Sequence, residues 1–66
     1  MNTITLNLLD EVIGGADGDL EAAKAALEDG AYLARLQGRG ILPADDEKAT
    51  EVVEEAYEVL LDRMAR

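Results

Sequence analysis

The stretch from Leu42 to Arg66 constrains the fold of this chain more than any other. It reads LPADDEKATEVVEEAYEVLLDRMAR, contains no glycine, and is rich in residues with high helix propensity. Its one proline, Pro43, lies where a first helical turn tolerates it. Asp45 suits the positive end of a helix dipole, and Arg63 suits the negative end. The pattern therefore predicts a helix over about residues 45–65.

The side chains of this predicted helix separate into an acidic side and an apolar side. At roughly 100° per residue, an arc of about 100° contains Glu47, Glu51, Glu54, Glu55, Glu58 and Asp62. We call these residues the acidic face. The apolar side chains spread over about 200°, which is wider than the ~100° stripe that one packing surface needs. The helix therefore needs two neighbours: residues 19–37 supply one, and the N-terminal segment or a second copy of the chain supplies the other.

A second helix is predicted over about residues 19–37. This stretch is rich in alanine, and Asp19 is a candidate N-cap. Because its length matches that of the helix at 45–65, we expect the two to form an antiparallel hairpin. An alternative stays open at Gly30, which could end the helix after Asp29 and leave a second short helix behind it.

The N-terminal segment has two interpretations. Residues 3–8 alternate polar and apolar side chains, which is a strand pattern, whereas the apolar residues of 8–13 have helical spacing. We favour a short helix at about residues 4–13, with Thr3 or Thr5 as N-cap and Gly14 just past its end. The chain as a whole is then expected to be all-α, as one small helical domain spanning residues 1–66.

A chain of 66 residues needs support beyond its own core. Cysteine and histidine are both absent, so disulfides, thiolate zinc sites and imidazole ligands are excluded. We therefore expect a homodimer. The side chains predicted at its interface, or at an interface with another partner, are the large residues Tyr32, Tyr57, Leu61 and Met64.

The charge of the chain limits the partners it can bind. Fifteen acidic residues oppose six basic ones, for a formal net charge of −9. This balance disfavours direct binding to nucleic acid or to an anionic membrane, and it suits a basic protein. No apolar run approaches the ~20 residues of a membrane span, and the N-terminus lacks a secretion signal. We expect a cytoplasmic protein, or one acting in a host cytoplasm if it is phage-encoded.

The sequence predicts no enzyme, cofactor or metal. Serine is absent as well as cysteine and histidine, so few nucleophiles or bases remain. The glycines near residue 15 are not followed by the Lys-Thr or Lys-Ser pair of a phosphate-binding loop. Asp17, Asp19 and Glu21 have the spacing of a calcium loop, but a loop of this kind conflicts with a helix that starts at the same place.

Two short segments resemble known families. MNTITLNL resembles the opening strand of ribbon-helix-helix repressors, in which Thr3, Thr5 and Asn7 would read DNA bases; the segment has no basic residue, which disfavours DNA binding. Residues 18–31 resemble the second helix and turn of an ankyrin repeat, but the Thr-Pro-Leu-His signature is missing and no second copy follows. This second resemblance implies no function.

The acidic face is the strongest functional signal in the chain. Its four like-charged pairs at i, i+4 spacing together destabilise a marginal domain by about 1–2 kcal/mol. Along the helix axis there is one of its carboxylates per ~3.7 Å, close to the ~3.4 Å axial spacing of phosphates on one DNA strand, although any acid-rich helix gives such a spacing. A simpler explanation of the acidic face is that it only confers solubility, because runs of charged residues usually form solvated surfaces.

Two functions are therefore expected. The first is a non-enzymatic inhibitor that docks its acidic face on a basic, nucleic-acid-handling protein. In size, charge and helicity the chain resembles small acidic inhibitors encoded by phages, including anti-CRISPR proteins and nucleic-acid mimics. The second is a dimeric regulatory or chaperone-like module that binds a partner through its apolar helix face.

Overall fold

The computed structural model describes residues 1–66 and contains four helices. They are α1 (Thr3–Gly15), α2 (Leu20–Leu27), α3 (Gly30–Gly38) and α4 (Asp46–Met64). No strand is present, so the all-α prediction is confirmed. Each helix begins at an Asn or Asp whose side chain accepts backbone N–H groups of the first turn: Asn2, Asp19, Asp29 and Asp45.

The N-terminal segment is the predicted helix and not a strand, although its two ends differ from the prediction. The N-cap is Asn2, whose Oδ1 accepts the Thr5 N–H at 2.8 Å, and not Thr3 or Thr5. The helix passes Gly14 and ends in a Schellman motif, in which the Gly18 N–H donates to the Ile13 carbonyl at 3.0 Å. Asp17 occupies the left-handed position of this motif, with φ of 54°.

The predicted continuous helix at 19–37 is wrong, because the chain breaks between α2 and α3. Asp29 has an extended backbone, and its Oδ1 accepts the N–H groups of Ala31 at 3.0 Å and Tyr32 at 3.3 Å. The alternative, a break near Asp29 followed by a second short helix, is confirmed, but Gly30 is the first residue of α3 and does not end α2. The residue that marks this break in the sequence is Asp29, because its carboxylate caps the N-terminus of a new helix.

The break lets both halves of this region contribute to one core. Leu27 and Leu36 are 3% and 1% exposed. Nine residues apart in a continuous helix, they would project in opposite directions at roughly 100° per residue. Because α3 leaves α2 at a new angle, Leu36 turns into the same core as Leu27.

Helix α4 is the centre of the packing. It contacts α1 and α2 closely, while α2 also packs against α1 and α3. Its buried side chains are Ala49, Val52, Ala56 and Leu60. Of the residues predicted to form one arm of a hairpin with α4, only those of α2 pack closely on it, and α3 separates the two helices in the chain. The second neighbour that the wide apolar arc requires is α1 of the same chain.

Helix α3 reaches α4 through its side chains and the loop that follows it. Gly40 has φ of 79°, and the Ile41 N–H donates to the Leu36 carbonyl at 2.9 Å, which closes a second Schellman motif. This turn places Leu42 in the core at 3% exposure. The Gln37 side chain reaches the N-terminus of α4, where Gln37 Nε2 donates to Asp46 Oδ1 at 2.9 Å.

Replacing Asp17 with glycine is expected to stabilise the fold. A left-handed backbone strains a residue with a Cβ atom, so Asp17→Gly should raise the free energy of unfolding by about 0.5–1 kcal/mol. Asp17→Ala removes the same charge but keeps a Cβ, and it should be less stable than Asp17→Gly. Urea denaturation measures both, and equal stabilities for the two variants would contradict the backbone explanation.

Replacing Thr5 with valine is also expected to stabilise the fold. Thr5 is fully buried, and its Oγ1 has no hydrogen-bond partner. Valine has the same shape without the unpaired hydroxyl, so Thr5→Val should add about 1 kcal/mol to the free energy of unfolding. The control is Thr3→Val, an exposed position in the same helix turn, where a change within ~0.5 kcal/mol is expected. A loss of stability in Thr5→Val would contradict the structure at this site.

Candidate functional site

The structure places all six residues of the acidic face on the solvent side of α4. Glu47, Glu51, Glu54, Glu55, Glu58 and Asp62 are each exposed. They lie opposite the residues that α1 and α2 cover, because the two sets occupy opposite arcs of one helix. At ~1.5 Å per residue the face is about 22 Å long. It is therefore a continuous anionic strip on the longest helix of the fold.

Most of the acidic face has no partner within the chain. Asp62 pairs with Arg66, whose Nη2 lies 2.7 Å from its Oδ2. The other five carboxylates form no ion pair and no side-chain hydrogen bond. The two other ion pairs, Lys24–Glu28 and Arg39–Glu11, lie on other helices. The basic side chains of the chain thus leave the acidic face almost uncompensated.

The predicted interface tyrosines are packed within the chain instead of being freely exposed. Tyr32 is half-buried against the core, and its hydroxyl lies near Gly15. Burial, and after it the Glu11 carboxylate, raise the pKa of Tyr32, although two nearby arginines oppose them. Tyr57 is also half-buried, and Lys24 Nζ lies 5.6 Å from its ring centroid. Hydrogen bonding to the Tyr57 side chain, followed by the Glu28 charge, raises the pKa of Lys24.

The other two predicted interface residues lie near the end of α4. Leu61 is 43% exposed, whereas Met64 is partly buried. On the helix projection Leu61 is about 20° from Glu54, so an exposed apolar side chain borders the acidic face. The four apolar residues are thus split between tyrosines held by α1 and α2 and a C-terminal pair on α4.

A cleft between α3 and α4 is a feature that the sequence did not predict. Its volume is about 240 Å³, and its apolar wall consists of Leu33, Leu42, Ala49 and Val53. Its polar rim is formed by Gln37, Asp46, Thr50 and Glu54. We call these eight residues the α3/α4 cleft. It exists because α3 does not pack as closely on α4 as α1 and α2 do.

The rim of the α3/α4 cleft is organised by hydrogen bonds. Gln37 Nε2 donates to the Pro43 carbonyl at 3.1 Å and to Asp46 Oδ1 at 2.9 Å. The Thr50 hydroxyl donates to the Asp46 carbonyl at 2.8 Å. Glu54 belongs both to this rim and to the acidic face, so the two features are continuous. No sequence motif marks the cleft, because it depends on the angle at which α3 leaves the break at Asp29.

Neither a membrane span nor a metal cluster is found among the four helices. None of them is long and apolar enough to cross a bilayer. No three His, Cys, Asp or Glu side chains lie close enough together to hold a metal ion. The acidic face and the α3/α4 cleft are therefore the two candidate functional features of the surface.

Comparisons with known proteins give no family assignment. No protein-family model matches the chain, and no curated protein or solved structure resembles it significantly.

Proposed function

We propose that this chain is a non-enzymatic inhibitor that binds a basic, nucleic-acid-handling protein through the acidic face. The bound face would occupy the surface that nucleic acid otherwise uses, as in DNA mimics and other anti-defence proteins. The observation that carries the proposal is the absence of intramolecular partners for five exposed carboxylates on one helix. These carboxylates are available to an external cation without breaking any contact in the fold.

The energetics of α4 support this proposal. Like charges at i, i+4 spacing destabilise a helix by ~0.2–0.5 kcal/mol per pair, and the acidic face contains several such pairs. A basic partner removes this repulsion when it binds, so part of the cost is returned on complex formation. Helix α4 also keeps its shape without the partner, because α1 and α2 cover its apolar side. Little ordering entropy is then lost on binding.

The shape of the acidic face suits a groove that holds nucleic acid. Helix α4 presents its carboxylates at an axial spacing of a few ångströms, which is comparable to the ~3.4 Å axial spacing of phosphates on one DNA strand. A protein that binds the phosphate backbone contacts it with Lys and Arg side chains. This fit is the physical basis for the inhibitory role.

An alternative function is favoured by a different observation. Four large apolar side chains are exposed: Met1 at 61%, Ile4 at 43%, Leu6 at 45% and Leu61 at 43%. A regulatory or chaperone-like module, or a homodimer, would bury such residues at an interface. In that case the acidic face serves only solubility.

Neutralising the acidic face is expected to abolish partner binding. The variant carries Glu51→Gln, Glu54→Gln, Glu55→Gln and Glu58→Gln. The control removes the same amount of charge elsewhere, with Asp10→Asn, Asp17→Asn, Glu21→Gln and Glu28→Gln. Each immobilised protein captures partners from host lysate at ~50 mM salt, and the affinity of the captured protein is then measured at ~50 and ~300 mM salt.

The proposal predicts three results. The face variant loses at least about tenfold in affinity relative to the control, wild-type affinity falls steeply at the higher salt, and both variants remain folded by circular dichroism. Equal binding by the face variant and the control would contradict the proposal. If binding is also insensitive to salt, and Leu61→Gln weakens it, the apolar alternative takes its place.

A further inference from the structure

We propose that the α3/α4 cleft holds one arginine side chain of the protein that docks on the acidic face. This inference rests on the proposed function and specifies the chemistry of one contact within it. At about 240 Å³ the cleft is smaller than the ~300–1,000 Å³ of typical small-molecule sites. A single long side chain fits it better than a metabolite does.

The hydrogen bonds of the rim determine what kind of group can enter. Both N–H groups of the Gln37 amide are used, one by the Pro43 carbonyl and one by Asp46 Oδ1. The Thr50 hydroxyl is used by the Asp46 carbonyl. The groups left for a ligand are acceptors, namely Gln37 Oε1, Asp46 Oδ2 and the Glu54 carboxylate. An occupant must therefore be rich in donors and poor in acceptors.

The charge of the rim selects a cation. Asp46 and Glu54 line the cleft, and no basic residue does. The positive end of the α4 dipole, worth about half a charge, opposes a cation at this place. The carboxylates of Asp45, Asp46 and Glu47 in that turn outweigh it, and Asp45 Oδ1 already accepts the backbone N–H groups of Glu47 and Lys48.

An arginine side chain matches the hydrogen-bond acceptors of the cleft better than a lysine side chain does. Gln37 and Asp46 are joined by a 2.9 Å hydrogen bond, so their free oxygens lie on neighbouring groups. A guanidinium can donate to two such acceptors at once through its planar fork, whereas an ammonium is a strongly hydrated point charge. The aliphatic stem of arginine would lie on Leu33 and Val53, as long basic side chains do on apolar surfaces.

The position of the cleft connects this anchor to the acidic face. Asp46, Thr50 and Glu54 follow one another at i, i+4 spacing along α4, over about 12 Å. Glu54 is the member shared with the acidic face. A partner lying along the acidic face therefore has the mouth of the cleft beside it. The acidic face would supply long-range attraction, and the cleft would fix the register.

The test is a titration of the wild-type chain with the probe N-acetyl-L-arginine methylamide, monitored by ¹⁵N–¹H spectra. We expect saturable shifts confined to the amides around Leu33, Thr50 and Val53, with a dissociation constant of about 1–10 mM. The lysine analogue should bind about fivefold or more weakly. Asp46→Asn should weaken arginine binding by a similar factor, while Glu21→Gln, which removes an equal charge on α2, should not.

A blocked cleft tests the role of this contact in the complex. Thr50→Lys puts a cation four residues from both Asp46 and Glu54, which fills the cleft from within and is compatible with the helix. Its control, Ala25→Lys, adds the same charge at an exposed position on α2. Thr50→Lys should lower the affinity for the captured partner about tenfold more than Ala25→Lys does.

Two results would overturn the inference: probe shifts that are absent or scattered over the surface, or equal partner affinity in Thr50→Lys and Ala25→Lys. Either result leaves the proposed function standing if the acidic-face variant still loses its partner. Conversely, the proposed function can fail while the probe still binds the cleft. The failures of the two proposals are therefore distinguishable.

Discussion

The burial of the apolar side of α4 is the interaction on which the rest of the fold depends. Helix α4 is the longest helix, and α1 and α2 both pack on it. With no Cys, Trp or Phe in the chain, small and aliphatic side chains must pack closely to form a stable core. Ala23 of α2 and Ala56 of α4 are both fully buried, as expected where two helices approach closely.

The same packing determines which surface remains for function. Because α1 and α2 hold the apolar side of α4, its acidic face points away from the rest of the chain. Of the six basic residues, only Arg66 forms an ion pair with the acidic face, whereas Lys24 and Arg39 pair with carboxylates elsewhere. The fold thus presents the acidic face on a rigid support, and rigid presentation favours tight binding to a complementary surface.

Sequence reasoning predicted the parts of this structure that follow from local periodicity. Helix α4, its two sides and its need for two neighbours were all read from side-chain spacing, and α1 was correctly favoured as a helix. The break at Asp29 is the less favoured of two alternatives in the sequence, because alanine-rich propensity favours continuity, whereas a capping carboxylate and the burial of Leu36 decide the structure. Burial of this kind is a tertiary effect that no local pattern reports.

Of the two candidate functional features, one follows from local periodicity and the other does not. The acidic face could be predicted, since it belongs to one helix. The α3/α4 cleft could not, since it depends on where α3 is placed after the break and on the span from Gln37 to Asp46. The homodimer stays a prediction that a single chain does not test. Tyr32 and Tyr57, two of its predicted interface residues, are partly buried against the core of their own chain.

The most direct test of the central claim is a displacement titration. The protein captured by this chain is bound to a fluorescently labelled DNA or RNA duplex, and the chain is added while fluorescence anisotropy is followed at ~50 mM salt. If the acidic face replaces phosphate, the duplex is released completely, with one chain bound for each duplex lost. If the duplex stays bound while the chain also binds, the two use different surfaces, and the claim that the acidic face stands in for nucleic acid is wrong.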